Sequence, residues 1–182
     1  MTLPHGLTPG TWTLDGAHSE IGFTVRHAGI SKVRGRFNDA SATVSAGSTA
    51  ADTTATAVVK TASFDSGDAN RDAHVKGPDF FDVENFPEMT FEATSIEAKG
   101  DEFDVTGNLT IKGVTQPVTI ETEFNGVAVD PFGATRAGLS GETTISRKDF
   151  GLTWNAVLEA GGVLVSDKVV INLDLAFVAP QA

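Results

Sequence analysis

The sequence predicts an all-β protein: an antiparallel sheet of about eight strands closed into a barrel, with one short helical insertion. Three observations carry this. Apolar residues recur at every second position over most of the chain. Turns bearing Gly, Asp or Pro separate the alternating runs. One segment, 65–86, is rich in Ala and charge and breaks the alternation.

Taken in order, a first strand is expected at about Thr11–Asp15. A second is marked by Ile21, Phe23 and Val25 alternating with Gly22, Thr24 and Arg26. Weaker strands are expected at Val33–Val44 and Thr53–Ser63. In 65–86 an Asp or Ser start, Ala and charged residues, and the stop Gly77-Pro78 predict a helix around Asp68–Lys76, with a second helical turn at Asp79–Glu84. This insertion is placed to cover one barrel opening. Strands then follow at Met89–Ala98, at Phe103–Ile111, around Val118–Phe124, at Ala137–Ser146 and at Val169–Phe177. Their connecting turns include Ala98-Lys99-Gly100-Asp101, Lys112-Gly113 and Asp130-Pro131-Phe132-Gly133. One wet face per strand indicates antiparallel pairing, and closure removes the exposed edges. The domain is expected to span 10–179, after an N-terminal tail 1–9 and with the insertion at about 66–86.

A barrel of eight strands can be filled by its own side chains or can hold one small ligand. Ala42, Ala55, Ala57 and Ala62 are small, Gly107 and Gly141 remove further volume, and twelve phenylalanines supply rings. Small residues facing rings suit an elongated apolar cavity; the alternative is that the alanines only let two strands approach closely.

Composition excludes several function classes. Thirteen cations against 24 acids give a net charge of −11 over 182 residues. Such a surface repels nucleic acid and disfavours lasting contact with anionic membranes. No run of apolar residues is long enough to cross a bilayer as a helix. No cysteine is present, so disulfide and thiol chemistry are absent. Met1–Gly10 has neither a basic start nor an apolar run. With Met1 as the natural start the expected location is cytoplasmic; a processed protein of the same sequence would be periplasmic or secreted.

Five blocks, in order, resemble the YceI-like, polyisoprenoid-binding family over nearly the whole chain. They are Asp15, His18-Ser19, Phe23, Val25 and His27; Gly35 and Phe37; Arg71-Asp72, His74, Asp79–Val83, Phe86-Pro87 and Phe91; Gly107–Thr115 with Pro117-Val118; and Ile145–Leu152 with Trp154. The resemblance implies an eight-stranded antiparallel lipocalin-like β-barrel with a long apolar cavity. It further implies a ligand with a long prenyl or acyl chain (polyisoprenoid, isoprenoid quinone or fatty-acid derivative), commonly a homodimer, and binding rather than catalysis. No cofactor beyond such a lipid is expected.

Residues expected to meet the ligand are Phe23, Val25, His27, Phe37, Ala57, Arg71, His74, Phe80, Phe81, Phe91, Leu109, Arg147, Phe150 and Trp154. His27 continues the inward face of Ile21, Phe23 and Val25 and is the leading polar contact, whereas Arg26 points outward. Arg71, Asp72 and His74 read either as a polar mouth for a diphosphate or other head group, or as an Arg–carboxylate lock holding the insertion on the barrel. Arg147 reads either as a head-group anchor or as one half of a buried pair with Asp149. Phe80, Phe81, Phe86, Phe150 and Trp154 read as core or as pocket wall. His18 and His27 are expected to satisfy backbone groups near the barrel ends; no spacing of the histidines supports a metal site. An enzyme acting on a lipid or isoprenoid precursor is the alternative, and it predicts a polar constellation converging inside the pocket, for example His27 with an acid. Gly-x-Ser-x-Gly is absent, and His18-Ser19-Glu20 are neighbours that alternate across a strand.

Overall fold

The computed structural model describes residues 2–159 and 161–180. Eleven strands follow in chain order: β1 (Gly10–Leu14), β2 (Glu20–His27), β3 (Ser31–Phe37), β4 (Ala40–Ala46), β5 (Thr54–Lys60), β6 (Phe64–Asp65), β7 (Glu88–Lys99), β8 (Glu102–Ile111), β9 (Val114–Val129), β10 (Thr135–Ser146) and β11 (Val165–Val178). One helix, α1 (Ala69–Lys76), lies between β6 and β7.

These eleven segments make eight barrel strands. β1 and β2 both run antiparallel to β11, with Leu14 opposite Phe177 and Ile21 opposite Leu173. β3 and β4 run back along them, and β5 and β6 run back along β4 and β3 in turn. The first three strands are therefore each broken once, at 15–19, 38–39 and 61–63. The second and third breaks lie side by side: Asn38 N donates to Ser63 O at 3.2 Å and Lys60 N donates to Asp39 O at 2.9 Å. β7 to β11 then continue as an unbroken antiparallel meander, and β11 closes the ring on β1 and β2. Breaks of this kind let strands bend as the sheet wraps on itself.

The single strand expected at Val33–Val44 is thus two, because Asn38-Asp39 turns the chain where the neighbouring strand bends. Ala62, expected on an inner face, sits exposed in the short 3-10 turn Thr61–Ser63. The helix is where the sequence places it. Asp68 caps it, its carboxylate accepting from Arg71 N at 2.9 Å, and Gly77-Pro78 ends it. The second helical turn expected at Asp79–Glu84 is instead a series of turns. There Phe80 N and Asp82 N both donate to Gly77 O, and Asp82 adopts φ 49°.

The β8–β9 turn explains its glycine. Lys112 and Gly113 have φ of 50° and 76°, the left-handed pair that a two-residue hairpin needs. Lys112 Nζ donates to Pro78 O at 3.0 Å, which ties this turn to the insertion.

Two packed clusters lie toward the two ends of the barrel. Met89, Ile111, Ile145, Phe150 and Leu152 form one toward the insertion, with Phe37 and Phe81 against them. Trp12, Ala46, Ala137 and Phe177 form the other. Leu3 and Leu7 pack onto this second cluster, so the N-terminal tail is folded over that end rather than trailing from it. The Trp12 indole N–H donates to Thr8 O at 2.9 Å and fastens the tail there.

Candidate functional site

The barrel is hollow between these clusters. A cavity of about 710 Å³ runs along its interior, within the range of roughly 300–1,000 Å³ common for small-molecule sites. Period-two alternation places its wall. On β2 the residues Ile21, Phe23 and Val25 face inward, and on β4 and β5 the small side chains Ala42, Ala55 and Ala57 do so.

Cross-strand register distributes the volume. Ala42 stands opposite Ala57, Ala57 opposite Phe91, and Phe91 opposite Leu109, a line across β4, β5, β7 and β8 that passes from small to large. Against the other wall, Phe23, Phe37, Phe64 and Phe81 form one ring cluster, with centroids 5.3 Å apart for Phe23–Phe64 and 5.7 Å for Phe37–Phe81. All eight of these residues line the cavity.

One glycine acts differently from expectation. A Cβ on Gly107 would stand 2.5 Å from the Phe91 ring and 2.5 Å from Glu92 O. Gly107 therefore makes room for a ring and adds nothing to the cavity. Gly35 does the same under Phe23, whose ring would meet a Cβ at 2.4 Å. Gly141 does line the cavity.

Every charged or titratable side chain in the lining sits toward the insertion end: Arg26, His27, Arg71, His74 and Arg147. Among the described residues the lining contains no carboxylate, although the chain carries 24 of them. His27 thus has no acid beside it in the cavity, so that example of a polar constellation is not assembled there.

Arg147 is the most buried of the five, with 5% of its surface exposed. It opens a 3-10 turn, Arg147–Phe150, which Gly151 ends at φ 74°, so the chain to β11 curls round the guanidinium. Nε donates to Ser166 O at 2.9 Å, Nη1 to Leu152 O at 2.7 Å and Trp154 O at 3.2 Å, and Nη2 to Val165 O at 3.3 Å. Four of its five N–H groups are thereby satisfied by backbone carbonyls. Burial pushes its pKa down, and the nearby Asp167 charge acts the other way. The buried pair with Asp149 does not form. Asp149 is exposed, while Asp167 accepts from Ser146 Oγ at 2.6 Å and Lys148 N at 3.1 Å.

Around Arg147 the insertion builds a tight group. The His74 ring is 4.7 Å from Trp154 and 5.2 Å from Phe80, both near-perpendicular, and Phe80 is 5.4 Å from Trp154. His74 Nε2 is 3.0 Å from Asp79 Oδ2. Arg71 lines the same end, but its lock is not a carboxylate. Nε and Nη2 donate to Ser66 Oγ and O at 2.7 and 2.9 Å, and Asp72 separately accepts from Ser66 N at 2.9 Å. Ser66 thus joins Arg71 and Asp72, where the sequence offered an Arg–carboxylate lock.

Of the expected contact residues, Phe23, Val25, His27, Phe37, Ala57, Arg71, His74, Phe80, Phe81, Phe91, Leu109, Arg147 and Trp154 line the cavity. Phe150 does not: 2% exposed, it packs into the cluster of Met89, Ile111 and Ile145. Arg26 is exposed, as expected for its position, and reaches the rim as well. His18 bonds the Asp15 carboxylate at 2.7 Å rather than a backbone group. Sequence reading missed Leu3, Pro4, Leu7 and Trp12, which line the far end. The signal was two leucines in an otherwise small or polar tail.

The model of the YceI-like domain family matches residues 12–177. A UPF0312 protein of Vibrio parahaemolyticus is 44% identical over 154 residues, 82% of each chain. One from Pseudomonas aeruginosa is 43% identical over 140 residues, 76% of this chain and 73% of its own. Among solved structures, Burkholderia cenocepacia BcnA superposes with a TM-score of 0.78 at 28% identity, over 90% of this chain and 98% of its own. A polyisoprenoid binding domain from Saccharophagus degradans has the same fold at 18% identity, with a TM-score of 0.71 over 93% and 98% of the two chains.

Proposed function

The chain belongs to the YceI-like family, and from that premise we propose that it binds one long-chain apolar molecule inside its barrel and carries or stores it without altering it. The observation that carries this reading is the cavity itself: elongated, walled mostly by aliphatic and aromatic side chains, and charged at one end only. Polyisoprenoids, isoprenoid quinones and fatty-acid derivatives are the classes that suit it, and the Saccharophagus domain of the same fold is described as binding the first of these.

The energetics favour a chain. Burial contributes about 0.8 kcal/mol per methylene, so twenty carbons give on the order of 16 kcal/mol. Association costs roughly 4–15 kcal/mol. An exposed ion pair to a head group would add only about 0.2–1 kcal/mol. Affinity then resides in the tail, while the cations at the insertion end set its direction, head toward Arg147 and tail toward Trp12. A homodimer is part of the proposal by family membership.

Organic extraction of protein purified from its native host, followed by mass spectrometry, tests it. A long-chain apolar molecule in near-equal amount to protein is expected. Repeated extracts holding none, together with failure to take up added prenols or fatty alcohols, would refute it.

A further inference from the structure

The chain's net charge of −11 is not evenly spread. Glu20–Phe37, the β2–β3 hairpin, holds Arg26, Lys32, Arg34 and Arg36 against the single acid Glu20, a net of +3 that leaves −14 on the rest. Register puts the four cations on one face: Arg26 stands opposite Lys32, Thr24 opposite Arg34 and Gly22 opposite Arg36, while Phe23, Val25 and Val33 take the inner face. All four cations are exposed. Among the described residues Arg26, Lys32 and Arg34 form no ion pair. Arg36 lies opposite Asp65 on β6. On the flanking strand β11, Val170 and Asn172 stand opposite Thr24 and Gly22 and bring no acid, while Asp174 stands opposite Glu20, at the end of β2 away from the hairpin tip.

The tip of this hairpin is apolar. Ile30 is 87% exposed, and the adjoining β10–β11 loop presents Val157 at 85% and Val163 at 47%. The two loops are joined: Ala28 N donates to Leu164 O at 2.7 Å, and Val157 pairs with Val163 across the loop. Glu159 is the one acid in that loop. Arg26 and His27 of the hairpin and Leu164 of the loop also line the cavity, so the apolar tips stand at the cavity's rim.

We propose that this face, the cationic outer surface of β2–β3 with the tips Ile30, Val157 and Val163, docks reversibly on an anionic phospholipid surface and sets the cavity's rim against it. Charge complementarity selects the partner, since anionic lipid attracts juxtaposed Lys and Arg while the acidic remainder of the barrel is turned away. Exposed aliphatic side chains between cations suit an interface of head groups and acyl chains. Docking here also spares a hydrocarbon ligand a passage through water. The inference stands on the surface alone and does not require the proposed ligand.

Vesicle flotation tests it, with phosphatidylcholine vesicles containing phosphatidylglycerol compared against pure phosphatidylcholine at low salt. The protein should float with the anionic vesicles only and be released as salt rises past physiological strength. K32E with R34E should weaken binding by more than about tenfold, and Ile30→Ser by several-fold. A cooperative thermal transition in the double variant shows that it is folded; if it is not, the salt titration of the unaltered protein decides between docking and its absence. Equal flotation with both vesicle types, none with either, or indifference to K32E with R34E overturns docking while leaving ligand uptake untouched. A dimer that the double variant splits, without flotation, assigns the face to a second copy and also overturns it.

Discussion

The Arg147 guanidinium carbon lies 5.9 Å from the centre of the Phe80 ring, so a buried cation is held between an aromatic face and a cage of backbone carbonyls at one end of an apolar cavity. A charge this buried persists because its N–H groups are satisfied and its neighbour is polarisable. The same arrangement leaves the cation without a carboxylate partner on the side that lines the cavity.

Arg147→Met should therefore unsettle the β10–β11 connection. It strips charged donors from the carbonyls of Leu152, Trp154, Val165 and Ser166. A loss on the order of 3 kcal/mol is expected from denaturant midpoints. Arg147→Lys should recover little, because a point-like ammonium cannot span four acceptors set in a fork. Equal stability of Arg147→Met and the unaltered protein would show that the cage is not structural.

Ala57→Phe places a ring on the narrow wall opposite Phe91. Since Ala57 lines the cavity, the ring should occupy space meant for a chain. Uptake of a long fatty alcohol should fall by at least about tenfold with the cooperative thermal transition retained. Overpacking is expected to cost no more than roughly 1–3 kcal/mol. Unchanged uptake would mean that the ligand does not pass this point.

Gly107→Ala drives a methyl into the Phe91 ring and, at 2.5 Å, into the backbone carbonyl of Glu92. The ring can rotate away; the carbonyl cannot without disturbing the β7–β8 ladder. A loss of about 1–3 kcal/mol in chemical denaturation is expected, partly recovered by Phe91→Leu in the same chain. Additive effects of the two substitutions would contradict this packing account.

Asp15 links β1 to the far end of the barrel, accepting from Arg136 and lying 2.7 Å from His18 Nδ1, while Arg136 Nε also donates to Asp130 at 2.9 Å. Hydrogen bonding to His18, then to Arg136, holds the Asp15 carboxyl below its ordinary value of 3.8. A carboxylate whose pKa is depressed on folding stabilises the fold above its unfolded value, and that stabilisation is lost as pH falls through the folded value. The Tm of Asp15→Asn should thus lie below that of the unaltered protein at about pH 5–6, and the margin should close at lower pH. A gap that widens on acidification would contradict the sign.

Much of this was legible in the sequence, and the limits have physical reasons. Alternation found every long strand and the inner face of β2, because a one-residue slip would expose the whole apolar row. Asp68 and Gly77-Pro78 bounded α1, since capping and termination are local chemistry. The breaks at Asn38-Asp39 and Thr61–Ser63 were not legible: they arise from neighbouring strands bending together. An Arg–carboxylate lock was expected at Arg71, and the pairing of Arg147 with Asp149 was inferred from proximity along the chain. Proximity in space gave them Ser66 and backbone carbonyls instead. Phe150 was open between core and wall and counted among the ligand contacts; it is core, packed after the 3-10 turn into the Met89 cluster.

A hollow barrel that holds one chain should select it by length. Equilibrium binding of a series of straight-chain fatty alcohols tests this most directly. Affinity should rise by roughly fourfold with each added methylene until the cavity is filled, and then level off, with the plateau reached at shorter chains in Ala57→Phe. Affinity that is indifferent to chain length, or that keeps climbing with no plateau in either protein, would contradict it.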